Sequence, residues 1–130
     1  MAKIRIYDTE GEEQSFDPEF FQATQSALVG SATVTTTQLL GRILDGTPTG
    51  AANYTMPTAA AVVNAMPGAA VGDSFMFFIN NKSAGANTIT VVAGGATADG
   101  TLTVDQNVIR AFLLFITGIT TAAYSVYGLT

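Results

Sequence analysis

Between Val71 and Tyr127 the chain changes sides at almost every residue. Phe75, Phe77 and Ile79 alternate with Ser74, Met76, Phe78 and Asn80. Ile89, Val91 and Ala93 alternate with Thr88, Thr90 and Val92, and Leu102 and Val104 with Thr101 and Thr103. Ile109, Ala111, Leu113 and Phe115 face one way, and Arg110, Phe112, Leu114 and Ile116 the other. Tyr124, Val126 and Gly128 alternate with Ser125 and Tyr127. Period-two spacing in Val, Ile, Phe, Tyr and Thr is the mark of strands. Strands this short and this close, with Gly or Asn breaks, predict a mainly β fold: an antiparallel sandwich or barrel, jelly-roll-like. The run 108–117 is apolar on both faces, so both must be covered. One side is the core; the other needs a helix or another subunit. Phe112, Leu114 and Ile116 are the candidates for that inter-subunit contact.

The chain before Val71 reads as an extended arm and one to three short helices. Lys3–Tyr7 alternates Lys3, Arg5 and Tyr7 against Ile4 and Ile6, a short strand able to pair with a neighbour's edge. Asp8, Glu10, Glu12, Glu13 and Asp17 follow: a solvated loop, or a contact for a basic surface. Asp17–Pro18 predicts a helix start, running to about Leu28 with Gly30 as its stop. Phe16, Phe20 and Phe21 form an aromatic cluster, either packed on the sheet or anchored in a partner. Leu39, Leu40, Ile43 and Leu44 have helical spacing, with Thr37 as cap and Gly46 as stop. Residues 47–53 read as a turn. Pro57 and Pro67–Gly68 bracket a helix over 58–66. Residues 1–46 are assigned to the arm and 47–130 to the β core. Ile4, Ile6, Tyr7, Phe16, Phe20 and Phe21 are the candidate attachment residues.

Composition narrows the chemistry. The 130 residues hold no Cys and no His. Disulfides, thiol nucleophiles, zinc–thiolate sites and imidazole bases are therefore excluded. The net charge is −5, with only five Lys and Arg, which argues against nucleic acid as a partner. Charged residues make up 12%, about half the usual share, and 48% are hydrophobic. No apolar run reaches the roughly 20 residues of a spanning helix, and the N-terminus lacks a signal-peptide core, so no membrane partner is expected. There is no GxGxxG, P-loop, HExxH or calcium-loop pattern. Asp73, Asp99 and Asp105 lie near strand ends; loop Asp residues mostly satisfy local backbone donors, so no metal and no cofactor are expected. A glycosidase would need two carboxylates across a cleft, but the acidic residues cluster in the first 20 positions. No catalytic residue is assigned. Tyr54, Tyr124 and Tyr127 are the aromatics a glycan site could use.

Three segments carry a resemblance. Asn53–Ala60 (NYTMPTAA) resembles an "xYTLPTAA" element. Val71–Phe75 (VGDSF) resembles the strand that follows it. Asn80–Thr90 (NNKSAGANTIT) resembles an "N-x-SAGANTIT" hairpin, and Gly100–Thr101 a "G-T" step. Together, over about residues 47–128, these are similar to a β-module of tailed-bacteriophage structural proteins of the head-decoration, cement or fibre type. The resemblance implies a non-enzymatic virion component on the outer surface of the capsid. It implies a homotrimer that binds the major capsid protein and holds neighbouring subunits together. The alternative it leaves is a tail fibre, baseplate or receptor-binding component with the same module.

Overall fold

The computed structural model describes residues 22–130, together with the backbone of residues 4–7 and 13–16. The strands are β1 (Ile4–Tyr7), β2 (Glu13–Phe16), β3 (Thr24–Leu28), β4 (Ala32–Thr33), β5 (Arg42–Gly46) and β6 (Ala52–Thr55). Then come β7 (Ser74–Asn81), β8 (Ile89–Val92), β9 (Thr97–Gly100), β10 (Thr103–Val104), β11 (Ile109–Gly118) and β12 (Ala123–Gly128). Helix α1 (Thr36–Gly41) lies between β4 and β5, and α2 (Ala59–Asn64) between β6 and β7.

The fold is mainly β and sandwich-like, not a closed barrel. One sheet has the order β3-β5-β7-β11-β12-β9, the other β10-β8-β6-β4, and β1 pairs with β2 alone. The expected antiparallel arrangement holds only in part. β3 with β5, β5 with β7, β4 with β6, β6 with β8, and β12 with β9 all run parallel. The reason is the path of the chain. From β3 to β11 each successive strand lies in the opposite sheet. A strand is therefore followed in its own sheet by the strand two along, after two crossings, and often in the same direction.

The two sheets enclose one core. The six-stranded sheet supplies Leu44, Phe75, Phe77, Ile79, Phe112, Leu114, Ile116, Tyr124 and Val126, and the four-stranded sheet Ala52, Tyr54, Ile89, Val91 and Val104. Phe77 and Phe112 are register partners, stacked with ring centroids 5.2 Å apart. Burying one such side chain contributes about 1.5–3 kcal/mol. The helices are too short to stand alone and dock through buried Leu39 of α1 and Val62 of α2, with Leu40, Ala59 and Val63 packed beside them.

Several expected elements are corrected. The helix ending near Leu28 is strand β3 in its second half, because Thr24–Leu28 hydrogen-bonds to β5; its Asp17–Pro18 start lies outside the described residues. The helix over 38–44 is two elements. α1 is capped by Thr35, not Thr37: the Thr35 hydroxyl accepts from the Gln38 N–H at 3.1 Å, and the Gln38 side chain accepts from the Thr35 N–H at 3.0 Å. Arg42 then turns to φ 75° and the chain leaves as β5. Gly41 permits this sharp exit, since a Cβ there would lie 2.9 Å from the Thr24 carbonyl oxygen. Part of the supposed 47–53 turn is β6, and β9 over Thr97–Gly100 is a strand the sequence reading did not assign. Residues 24–46, read as arm, supply β3, β4, α1 and β5 of the sandwich itself. The helix over 58–66 does form, as α2 with Thr58 as its cap.

Candidate interaction surface

The segment Asn80–Thr90, expected as a hairpin, is not one: it carries the chain from β7 in the six-stranded sheet to β8 in the four-stranded sheet, and folds into a hydrogen-bonded corner at one end of the sandwich. Asn81 is fully buried. Its Nδ2 donates to the carbonyls of Asn87 (2.7 Å) and Val104 (2.8 Å), and its Oδ1 accepts from the Ser83 N–H at 3.0 Å. The Ser83 hydroxyl donates to the Pro48 carbonyl at 2.7 Å, and Asn87 Nδ2 donates to that hydroxyl at 2.8 Å. Gln106 Nε2 closes the set on the Ser83 carbonyl at 3.1 Å. These polar groups spend their hydrogen bonds on the fold, joining β7, the 47–49 turn, β8 and β10.

Two of the three tyrosines considered for glycan binding are internal. Tyr54 donates to the Leu28 carbonyl at 3.3 Å, and Tyr124 donates to the Pro57 carbonyl at 2.6 Å. Burial pushes both phenols above their ordinary pKa, because the phenolate would lose its water. Tyr127 lies on the outside, 39% exposed. The three aspartates do not meet. Asp73 accepts from the Ala70 N–H, Asp99 from the Gly100 N–H and Asp105 from the Thr88 hydroxyl. Among the described residues no cluster of His, Cys, Asp or Glu could hold a metal ion. No helix among them is long and apolar enough to cross a membrane.

The strand with two apolar faces is β11, and its faces are not equivalent. Phe112, Leu114 and Ile116, the expected inter-subunit residues, are fully buried in the chain's own core. They pack against the four-stranded sheet, so no partner reaches them. The surface a partner can touch is the other set. Leu113 is flanked in register by Met76 of β7 and Tyr127 of β12. One step along, Ala111 pairs with Phe78, which pairs with Ile43 of β5. One step the other way, Phe115 lies between Ser74 and Ser125. Met76 and Phe78 are 39% and 38% exposed, and Ile109 at the end of β11 is 65% exposed. A groove of about 400 Å³ opens beside them, lined by Ala23, Arg42, Ile43, Met76, Phe78 and Leu113. The rim is polar: Gln25 opposite Ile43, Asp99 opposite Tyr127, and Asp45, whose carboxylate accepts from Asn80 Nδ2 at 3.2 Å and pairs with Lys82 at 3.0 Å. An apolar centre with a polar rim is the anatomy of a protein interface.

Of the candidate attachment residues, Ile4, Ile6 and Tyr7 fall in β1 and Phe16 in β2, with Ile4 opposite Phe16 and Ile6 opposite Gln14. Phe20 and Phe21 lie outside the described residues. The outer face went unassigned in the sequence because alternation separates two sets of side chains without saying which set is inside. Its signal was present in Met76 and Phe78, apolar residues on the side of β7 opposite Phe75, Phe77 and Ile79. No protein-family model, no curated protein and no solved structure matches the chain.

Proposed function

We propose that the chain is a structural component of a tailed-bacteriophage virion, a decoration or cement protein on the outer surface of the head. In this reading it binds the major capsid protein, associates with its own copies as a homotrimer, and stabilises contacts between capsid subunits without catalysis. The supporting observation is a division of labour. The segments that resemble the phage module, Asn53–Ala60 and Asn80–Thr90, provide β6, the cap of α2 and the Asn81 corner, all scaffold. What the scaffold presents outward is an apolar sheet face suited to contact, not a cleft with free polar groups. The acidic residues at positions 8–19 and the candidates Ile4, Ile6, Tyr7, Phe16, Phe20 and Phe21 are assigned to the capsid contact, where carboxylates set orientation more than affinity.

Imaging of intact particles tests the reading. Density of this size repeated over the head shell supports it. Density at the tail supports the fibre or baseplate alternative, and a particle lacking the chain overturns both.

A further inference from the structure

We infer that the N-terminal ribbon of this same chain, β1 with β2, docks on the outer face of the six-stranded sheet, with the side that carries Ile4, Ile6 and Phe16 toward Leu113. The inference goes beyond the capsid reading and does not depend on it. Four observations choose the ribbon as the occupant.

The first is what the ribbon lacks. β1 pairs with β2 and with neither sheet. A lone two-stranded ribbon is marginal in water and needs a surface to pack on. Its register gives it unlike sides. Ile4 is opposite Phe16 and Ile6 opposite Gln14, so these four positions share one side; Arg5, Tyr7, Glu13 and Ser15 occupy positions on the other. The more apolar side is the one to be covered. The second is where the chain enters the sheet. Thr24 is opposite Arg42, Ile43 opposite Phe78, and Met76 opposite Leu113. Ala23, one residue before Thr24, therefore stands in the cross-strand row of Met76 and Leu113. On the core side of that row α1 packs against β3, β5 and β7 and buries Leu39. The outer side is open there, and Ala23 lines the groove of about 400 Å³. The third is reach. Leu113 lies three strands from Ala23, about 14 Å away, and a packed layer sits about 10 Å above a sheet. A ribbon over Leu113 is then about 17 Å from Ala23. Residues 17–22 join Phe16 to Ala23 and span at most about 23 Å when extended. The fourth is charge. Residues 1–21 hold six carboxylates against two cations, Lys3 and Arg5. Among the described residues that line the groove the one charge is Arg42, whose guanidinium lies 5.5 Å from the centre of the Phe75 ring. An acidic segment and a cationic groove match in sign. Where the capsid reading holds, the ribbon must leave this face before Ile4 and Ile6 can meet a capsid subunit.

The test is proteolysis of the full-length chain in solution, without particles. All four Glu residues lie at positions 10, 12, 13 and 19, so a Glu-specific protease has no Glu to cut in the sandwich. Cleavage after Glu13, within β2, is followed by mass. It is expected to be at least tenfold slower than in a synthetic peptide of residues 1–21. Leu113→Asp and, separately, Phe78→Ser are expected to restore most of the peptide's rate while leaving the β circular-dichroism spectrum intact. The absence of native cysteine allows a second readout that does not depend on those variants folding. Ile6→Cys combined with Leu113→Cys, treated with a short bis-maleimide at low micromolar chain, is expected to link within one chain, at a rate unchanged by dilution. Ile6→Cys combined with Val92→Cys, an exposed position on the four-stranded sheet, is expected to link several-fold more slowly. Cleavage of the full-length chain as fast as the peptide overturns the inference. So does a slow rate unaffected by both Leu113→Asp and Phe78→Ser, or a Leu113→Cys pair that links no faster than the Val92→Cys pair. Links between chains in place of links within one chain overturn it too. Any of these failures leaves the capsid reading in place, since that reading asks only for an arm free to reach the shell.

Discussion

The Tyr124 hydroxyl donates to the carbonyl of Pro57, 2.6 Å away and 67 positions earlier in the chain. Pro57 follows β6 of the four-stranded sheet, and Tyr124 belongs to β12 of the six-stranded one. The bond therefore ties the two layers at the turn that starts α2. Tyr124→Phe keeps the ring and leaves the buried carbonyl without its donor. The expected loss is about 1–2 kcal/mol, read as a lower urea midpoint with an unchanged slope.

The two faces of β11 are expected to respond unequally to truncation. Leu114→Ala leaves a hole between the sheets and is expected to cost about 3 kcal/mol. Leu113→Ala, on the half-exposed side, is expected to cost about 1 kcal/mol or less in the isolated chain. Equal losses in urea unfolding would contradict the assignment of Leu114 to the core.

The corner around Asn81 depends on one amide. Asn81→Ala removes the donor from the carbonyls of Asn87 and Val104 and the acceptor from the Ser83 N–H. Each buried group left unmatched costs about 1–3 kcal/mol. A total loss of about 3 kcal/mol is expected, together with faster amide exchange at Ser83, where the N–H has lost its acceptor.

Alkaline pH is expected to loosen the fold through Tyr54 and Tyr124. Both phenols are raised in the folded state above the ordinary value of about 10. The neutral forms are thus favoured by folding, and the stability they help maintain is intact below about pH 10. Above it the unfolded chain ionises first, so stability falls as pH rises toward the folded-state values. Absorbance at 295 nm should show two tyrosines ionising only as the β circular dichroism disappears. Smooth ionisation of all four tyrosines with the fold intact would rule this out.

How far the sequence carried is clearest strand by strand. β7 and β11 were legible because their side chains alternate over many residues, eight in β7 and ten in β11. β3 and β9 were not. Thr24–Leu28 and Thr97–Gly100 are short and built from small and polar residues, and each is a strand only because a parallel neighbour distant in sequence completes its hydrogen bonds. α1 and β5 were fused into one helix because 39, 40, 43 and 44 is helical spacing; the break at Arg42 is a backbone event that spacing does not record. The candidate surface was half legible. That β11 has two apolar faces is plain from the sequence. Which one the chain covers itself depends on where the four-stranded sheet lies.

The strict alternation of strands between sheets from β3 to β11 has a consequence for how the chain can be assembled. No two consecutive strands in that stretch are hydrogen-bonded neighbours, so none of its ladders can begin as a tight turn zipping outward. Every pairing must first close a long segment of chain, which makes the route to the native state intrinsically slow. Just beyond that stretch, β11 and β12 are consecutive and paired through a short turn. During synthesis the earlier strands emerge first, but β7 has no partner on its far side until β11 exists. Until residues 109–128 have left the ribosome, Phe77 and Ile79 have no Phe112 or Arg110 to pair with, and the nascent half-sandwich stays open and adhesive.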